Sequence, residues 1–170
     1  RKDTLRIAQS YSGIGSVYSD LGDNEQALEY MQKALDLSII LKQKKGEAAI
    51  RNNIAGVYKD LGSIERAFHN VRIAERLNQE SGNDYWLSIN YTMFSDLYSK
   101  LYKMDSARYY LFKANEFTLK EGSTNDSIDM FRKTGIYYFK VDSVEKALNM
   151  FNQGILISRK LGSLKSEANF

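Results

Sequence analysis

Apolar and small residues recur along this chain at steps of three and four, the spacing that places side chains on one face of an α-helix. A polar turn at Leu21-Gly22-Asp23 interrupts the first such stretch, and a second stretch with the same spacing begins at about Asn24. The alternation of periodic stretches and short turns continues along the chain. It predicts eight helices, at about 4–21, 24–42, 47–61, 64–81, 84–101, 104–121, 126–141 and 144–161.

The pattern repeats every forty residues without an insertion. Three sets of positions carry the period: Tyr18, Tyr58, Tyr98 and Tyr138; Ala27, Ala67, Ala107 and Ala147; and Ala34, Ala74 and Ala114, with Gly154 in the fourth place. A fixed period of this length is typical of repeat proteins in which each unit packs on its neighbours. We therefore predict an all-α fold, an α-α superhelix of four antiparallel helix pairs that forms one array over residues 1–170.

The predicted repeats span about 4–43, 44–83, 84–123 and 124–163. Leu161, Glu167 and Ala168 lie 120 residues after Leu41, Glu47 and Ala48. Residues 164–170 are therefore expected to begin a fifth, truncated repeat, and we interpret the chain as a piece of a larger protein. An array cut inside a repeat exposes an apolar end, so the truncation itself can produce self-association through that end.

The turns between helices are predicted from glycine and capping residues. Gly22 allows a positive φ, while Asp23 and Gln26 form a capping-box pattern for the next helix. Lys44–Gly46 is expected to link the first two repeats, and Gly82, Gly122 and Gly162 are expected to end second helices. Tyr102 and Asp142 replace the turn glycine, so their corners are candidates for a different geometry. Lys103 replaces the capping residue, which makes the third corner the least stable one.

The spacing of Gly15, Tyr18, Leu21-Gly22, Ala27 and Ala34 resembles the tetratricopeptide repeat (TPR), a helix–turn–helix unit of 34 residues. The resemblance covers essentially the whole chain. It implies that the small residues at 15, 55, 95 and 135 let the two helices of a repeat cross closely, and that the first helices line a concave binding surface. The repeat here is longer, at forty residues, and lacks the usual proline, as in the long-repeat variants of scaffold and bacterial signalling proteins.

Composition excludes several classes of function. There is no cysteine, and a net charge of +3 from 24 basic and 21 acidic residues is too mild for direct nucleic-acid binding. No apolar run reaches the ~20 residues of a membrane helix. His69 is the only histidine, the carboxylates lack metal-ligand spacing, and Gly13-Ile14-Gly15 is an incomplete dinucleotide motif without a preceding strand. We expect no enzymatic activity, cofactor or metal. The compartment stays open, with the cytoplasm favoured.

The concave face, taken as the side of each first helix opposite the core, supplies the candidate binding residues. Its first half is small and polar, and Asn53 stands where the resemblance implies a peptide-binding asparagine. Its second half mixes apolar groups with cations, which favours an acidic, partly apolar ligand. Alternatively, its apolar residues pack against a fifth repeat or a partner subunit. The predicted groove residues are Asn52, Asn53, Lys59, Thr92, Met93, Asp96, Arg132, Lys133, Ile136, Phe139 and Lys140.

Two functions remain open. The leading hypothesis is a protein–protein interaction module that binds a peptide or protein segment along the concave face. The alternative, from the resemblance, is a sensory input segment of a bacterial signalling or transcription-regulatory protein. Its histidine kinase or helix-turn-helix output domain would lie outside this sequence.

Overall fold

The computed structural model describes residues 2–121 and 123–167, with side chains described for residues 3–120 and 123–162. Over these residues the chain is a succession of helices joined by short turns, which confirms the predicted all-α fold. The helices are α1 (Lys2–Asp20), α2 (Asn24–Ile40), α3 (Lys44–Asp60), α4 (Ile64–Glu80), α5 (Asp84–Lys100), α6 (Met104–Glu121), α7 (Thr124–Lys140) and α8 (Val144–Glu167).

The helices stack as four pairs in a curved array. The most extensive contacts join α1 to α2, α3 to α4, α5 to α6 and α7 to α8, and each pair also contacts the next. The first helices α1, α3 and α5 touch in sequence, whereas the second helices do not touch one another within the described residues. A stack of helix pairs bends toward the side on which neighbouring helices lie closer together. The first helices therefore line the concave face, as in a helical solenoid.

Small residues allow the two helices of a repeat to cross closely. A Cβ added at Gly15 would lie 2.7 Å from Met31 Cγ and 3.1 Å from the Ala27 carbonyl oxygen. At the equivalent position in the third repeat, the Ser95 hydroxyl donates a hydrogen bond to the Ala107 carbonyl at 2.9 Å. These contacts confirm the packing role predicted for the small positions, because a larger side chain would push the helices apart.

Six corners share one hydrogen-bonded geometry. Each contains a residue with φ between +54° and +81°, at Gly22, Lys42, Gly62, Gly82, Tyr102 and Asp142. The amide after that residue donates to a carbonyl five positions back, as in Asp23 N to Tyr18 O at 2.9 Å and Lys103 N to Tyr98 O at 3.0 Å. This is the Schellman motif. The corners at Tyr102 and Asp142 therefore do not differ in backbone geometry from the glycine corners, because main-chain bonds define the turn and the side chain points outward.

Two predicted boundaries are wrong. Lys44–Gly46 forms the first turn of α3, and the link between the first two repeats is Leu41–Gln43. Gly162 lies inside α8, which continues to Glu167, because glycine permits a helix to end but does not impose the end. Gly122 and residues 168–170 of the predicted fifth repeat lie outside the described residues. The cap at Asp23 is confirmed, since its carboxylate accepts a bond from Gln26 N at 3.1 Å.

Candidate functional site

The junction between the second and third repeats is closed by a ladder of three buried asparagines. Asn78 Nδ2 donates to Asn90 Oδ1 at 2.8 Å, and Asn90 Nδ2 donates to Asn52 Oδ1 at 2.7 Å. The ladder joins α4, α5 and α3 and leaves Asn52 Nδ2 and Asn78 Oδ1, at its two ends, without a protein partner. Asn52 is only 4% exposed. Its predicted place on the open concave surface is therefore wrong, because its amide is used in the contact between repeats.

The junction between the third and fourth repeats lacks such a ladder. The equivalent positions, forty residues later, hold Thr92, Met130 and Thr118. Thr92 Oγ1 donates to the Ser88 carbonyl at 3.0 Å and Thr118 Oγ1 to the Ala114 carbonyl at 3.1 Å, so each hydroxyl is bonded within its own helix. Methionine cannot replace the bridging amide. The sequence difference thus removes the polar bonds that draw neighbouring first helices together.

A gap lies between α5 and α7. The backbones of the two helices lie farther apart than those of α3 and α5, and α7 contacts α6 less extensively than α3 contacts α2. Behind the gap, α7 is held by a hydrogen bond from Asn115 Nδ2 on α6 to Thr134 Oγ1 at 3.0 Å. The gap is therefore open on the concave face and floored by α6.

Two adjoining cavities occupy this gap, with volumes of about 220 and 160 Å³. They share Thr92, Asp96, Leu111 and Lys133. The first cavity is lined in addition by Tyr85, Ser88, Ile89, Met93, Asn115, Phe117, Thr118, Asp126, Asp129 and Met130. The second is lined in addition by Ser95, Ser99, Arg132, Ile136, Tyr137 and Lys140.

Charge changes sign along the gap. Asp126 and Asp129 lie at the end formed by the start of α7, and Arg132 and Lys140 line the cavity nearer its other end. Asp129 is bonded to Lys133 Nζ at 2.6 Å and to the Arg132 guanidinium. Burial acts to raise the pKa of Asp129, but the hydrogen bonds from Lys133 and Arg132 outweigh it and hold that pKa below its usual value. Two of the three cations predicted on α7, Arg132 and Lys133, are thus partly neutralised by Asp129.

Lys140 differs from these two cations. It is exposed at the second cavity and has no ion-pair partner among the described residues. An acidic group of a ligand could pair with Lys140 without displacing a carboxylate of the protein.

The structure brings most predicted groove residues together and leaves a few apart. Asn53 contacts Ser16 Oγ at 3.5 Å and does not line the cavities. Lys59 is not a lining residue either, but it lies 3.9 Å from Oδ2 of Asp96, which lines both cavities. Phe139 is largely exposed beyond them. The cavities include Thr92, Met93, Asp96, Arg132, Lys133, Ile136 and Lys140.

Sequence reasoning missed the residues of α6, because it assigned the groove to first helices alone. Leu111, Asn115 and Thr118 line the cavities since the gap reaches through to the second helix. The repeat alignment contained the signal, in the change from three asparagines to threonine, methionine and threonine at equivalent positions.

No group of three or more His, Asp or Glu side chains among the described residues is placed to hold a metal ion. None of the described helices has the length and apolarity to cross a membrane. His69 is exposed on α4. The side chains that line the gap offer hydrogen bonding, apolar contact and charge pairing.

Comparison with known proteins identifies the repeat. Residues 6–72 match the family model of the tetratricopeptide repeat. No curated protein matches the chain. Among solved structures, BtubC (BKLC) from P. vanneervenii is similar with a TM-score of 0.77 and 22% identity, over 91% of this chain and 64% of that one. The apo form of RapI is similar with a TM-score of 0.76 and 18% identity, over 93% and 44%.

A third similar structure contains nearly identical TPR-like repeats from a Podosopora anserina protein described as a kinesin light chain. Its TM-score is 0.73 at 13% identity, over 92% of this chain and 77% of that chain. At these identities the likeness establishes the fold alone. The present chain spans about two thirds of the first of these structures and less than half of the second. Together with the family match, they confirm the resemblance that the forty-residue spacing indicated.

Proposed function

We propose that this chain, whose residues 6–72 match the tetratricopeptide repeat model, is a non-enzymatic interaction module that binds an extended peptide segment in the gap between α5 and α7. Arrays of this family generally serve protein–protein interaction. The observation that carries the proposal is the pair of adjoining cavities at the one junction where threonine and methionine replace the asparagine ladder.

The shape of the gap suits an extended peptide. Each cavity is smaller than the ~300–1,000 Å³ of typical small-molecule sites. Side chains on one face of an extended chain recur every second residue, or about 6.6 Å. Each of the two small, adjoining cavities can receive a single side chain. Together they suit alternate side chains of an extended peptide better than one deep site would.

The chemistry of the walls indicates which peptide would bind. Ile89, Met93 and Leu111 supply apolar surface for the inserted side chains. Thr92 and Asp96 lie between the cavities, where they can bond the peptide backbone. Lys140 at the second cavity favours a carboxylate at that end of the ligand. The proposed ligand is therefore a short extended segment with an apolar residue followed or preceded by an acidic one.

A peptide selection tests this proposal. A random peptide library displayed on phage is selected against the chain, and the enriched sequences are synthesised and measured by fluorescence anisotropy. We expect apolar–acidic sequences that bind the unmodified chain and lose at least tenfold in affinity with Thr92→Phe, which places a ring between the two cavities. Ser12→Phe is the matched control, because Ser12 is the equivalent residue in the first repeat and should leave affinity unchanged.

Lys140→Ala separates the charge contribution from the apolar one. Compared with the unmodified chain, the Lys140→Ala variant should bind acidic peptides more weakly. It should bind peptides in which the acid is replaced by its amide with the same affinity as the unmodified chain. Enriched peptides that bind Thr92→Phe as tightly as the unmodified chain would place the binding surface elsewhere. The alternative of a bacterial input segment stays a prediction, which the domain content of the full-length gene tests.

A further inference from the structure

A separate cavity of about 390 Å³ lies at the junction between the first and second repeats, where α1 and α2 meet the start of α3. This first-junction cavity shares no lining residue with the gap between α5 and α7. Its volume falls within the ~300–1,000 Å³ of typical small-molecule sites, which neither cavity of the gap reaches. It therefore suits a small organic molecule better than a single side chain of a peptide.

The residues of this junction differ from those that form the asparagine ladder. Ser12, Ser38 and Ile50 line the first-junction cavity at the positions equivalent to the three ladder asparagines, forty residues earlier in the sequence. Gly46 lines it at the position that Trp86 holds in the third repeat. Isoleucine cannot supply the bridging amide. No amide ladder therefore crosses this junction, and small side chains border the space.

One buried hydroxyl in the cavity has no protein partner. Ser38 is only 2% exposed, and its Oγ makes no hydrogen bond with any described residue. A Cβ added at Gly46 would lie 3.5 Å from that Oγ, so the hydroxyl faces the first turn of α3. A buried hydroxyl without a partner is costly unless a ligand or water satisfies it. Ser38 thus marks the place where a ligand can accept or donate a hydrogen bond.

The first turn of α3 supplies further donors at the same place. Lys45 and Gly46, the second and third residues of the helix, both line the cavity. The capping residue Gln43 makes no side-chain bond to their amides, whereas Asn83 accepts from Trp86 N at the equivalent place in the third repeat. Amides at a helix N-terminus attract anions, because they donate hydrogen bonds and lie at the positive end of the helix dipole.

Charge and apolar surface define the class of ligand. The Lys45 ammonium has no ion-pair partner among the described residues, and none of the lining residues is acidic. Leu5, Ala8 and Ile50 supply apolar surface in the same cavity. One cation with neutral donors suits a single negative charge, and the apolar wall suits a hydrocarbon chain.

We propose that the first-junction cavity binds a small aliphatic monocarboxylate. The carboxylate accepts hydrogen bonds from the Gly46 amide, the Ser38 hydroxyl and the Lys45 ammonium. The hydrocarbon chain lies against Leu5 and Ile50. This site is independent of the peptide site proposed in the gap between α5 and α7, because the two share no residue and either can fail alone.

Titration with hexanoate, followed by two-dimensional amide NMR, tests the proposal. Hexanoate should shift the amide signals of Lys45 and Gly46 saturably. Hexanol, which has the chain without the charge, and inorganic phosphate, which has charge without the chain, should each bind at least tenfold more weakly. Lys45→Met should lower the hexanoate affinity roughly tenfold, because a hydrogen bond from a charged group is lost. Ser38→Ala should lower it severalfold.

The matched control is Lys44→Met, which replaces the neighbouring lysine. Lys44 pairs with Glu80 and does not line the cavity, so this variant should bind hexanoate as the unmodified chain does. Equal losses in Lys44→Met and Lys45→Met would show general charge attraction and overturn the site.

Three other results would also overturn the proposal. Hexanol that binds as tightly as hexanoate would show an apolar cavity without an anion site. Phosphate that binds as tightly would show anion attraction at the helix terminus alone. The same conclusion against the site follows if hexanoate gives no saturable shift at Lys45 and Gly46 in a spectrum that remains well dispersed. If Lys45→Met loses its dispersed spectrum, Lys45→Gln takes its place.

Discussion

Replacement of Asn90 by methionine tests whether the asparagine ladder holds the second junction closed. Asn90 is fully buried and makes two hydrogen bonds, to Asn52 Oδ1 at 2.7 Å and from Asn78 Nδ2 at 2.8 Å. Methionine is the residue at the equivalent position 130, so its size is compatible with a junction of this fold. The change removes both bonds and leaves one acceptor and one donor buried without partners.

The cost follows from those two orphaned groups. A buried polar group left unsatisfied costs about 1–3 kcal/mol. Two of them cost about 2–6 kcal/mol, before any change in packing. Domains are stable by only about 5–15 kcal/mol, so the loss should be a large fraction of the total. Urea denaturation followed by far-ultraviolet circular dichroism measures it as a lower midpoint.

The control removes all three amides together. In the variant Asn52→Thr, Asn78→Thr and Asn90→Met, the second junction has the residues of the third, and no amide is left without a partner. Its free energy of unfolding should exceed that of Asn90→Met, even though two more residues are changed, since neighbouring sites in one network are not additive. If the triple variant is less stable than the single one, or if Asn90→Met costs less than about 0.5 kcal/mol, the ladder does not act as described.

Two further predictions concern a corner and an ion pair. Tyr102 has φ +57° and is largely exposed, so Tyr102→Gly should increase the free energy of unfolding by roughly 0.5–1 kcal/mol and raise the urea midpoint. Gly62→Ala, at the equivalent corner, should lower the midpoint. Asp129 has a pKa below the usual 3.8, so its contribution to stability is present above that pH and is lost as the pH falls through the lowered pKa. Asp129→Asn should therefore lower the urea midpoint more at pH 7 than at pH 2; an equal difference at both values would contradict a lowered pKa for Asp129.

Much of the fold could be read from residue spacing because its contacts are local or recur. The tyrosines and alanines at forty-residue steps identified four helix pairs, and the small residues at Gly15 and Ser95 identified the close crossings. Helix ends were less predictable. Gly162 had the same forty-residue spacing as Gly82, yet one lies inside a helix and the other ends one. The end of a helix depends on main-chain hydrogen bonds, and a glycine makes those bonds easier to form without requiring them.

The candidate site was harder to predict because equivalent positions at different junctions between repeats make different contacts. Asn52 and Thr92 occupy equivalent places on first helices, and sequence reasoning assigned both to the groove. Asn52 is removed from it by a bond to Asn90, thirty-eight residues away, whereas Thr92 bonds to its own helix. Only the packing of three helices shows that one amide is used internally and the other position is open.

The forty-residue helical repeat can be recognised from residue spacing alone, because the period shows which positions must be small or apolar for similar units to stack. The tertiary structure decided which junctions are closed and where a gap remains. At the second junction, the closure includes hydrogen bonds between asparagines of three different helices, whose distances and burial are set only when the array is assembled.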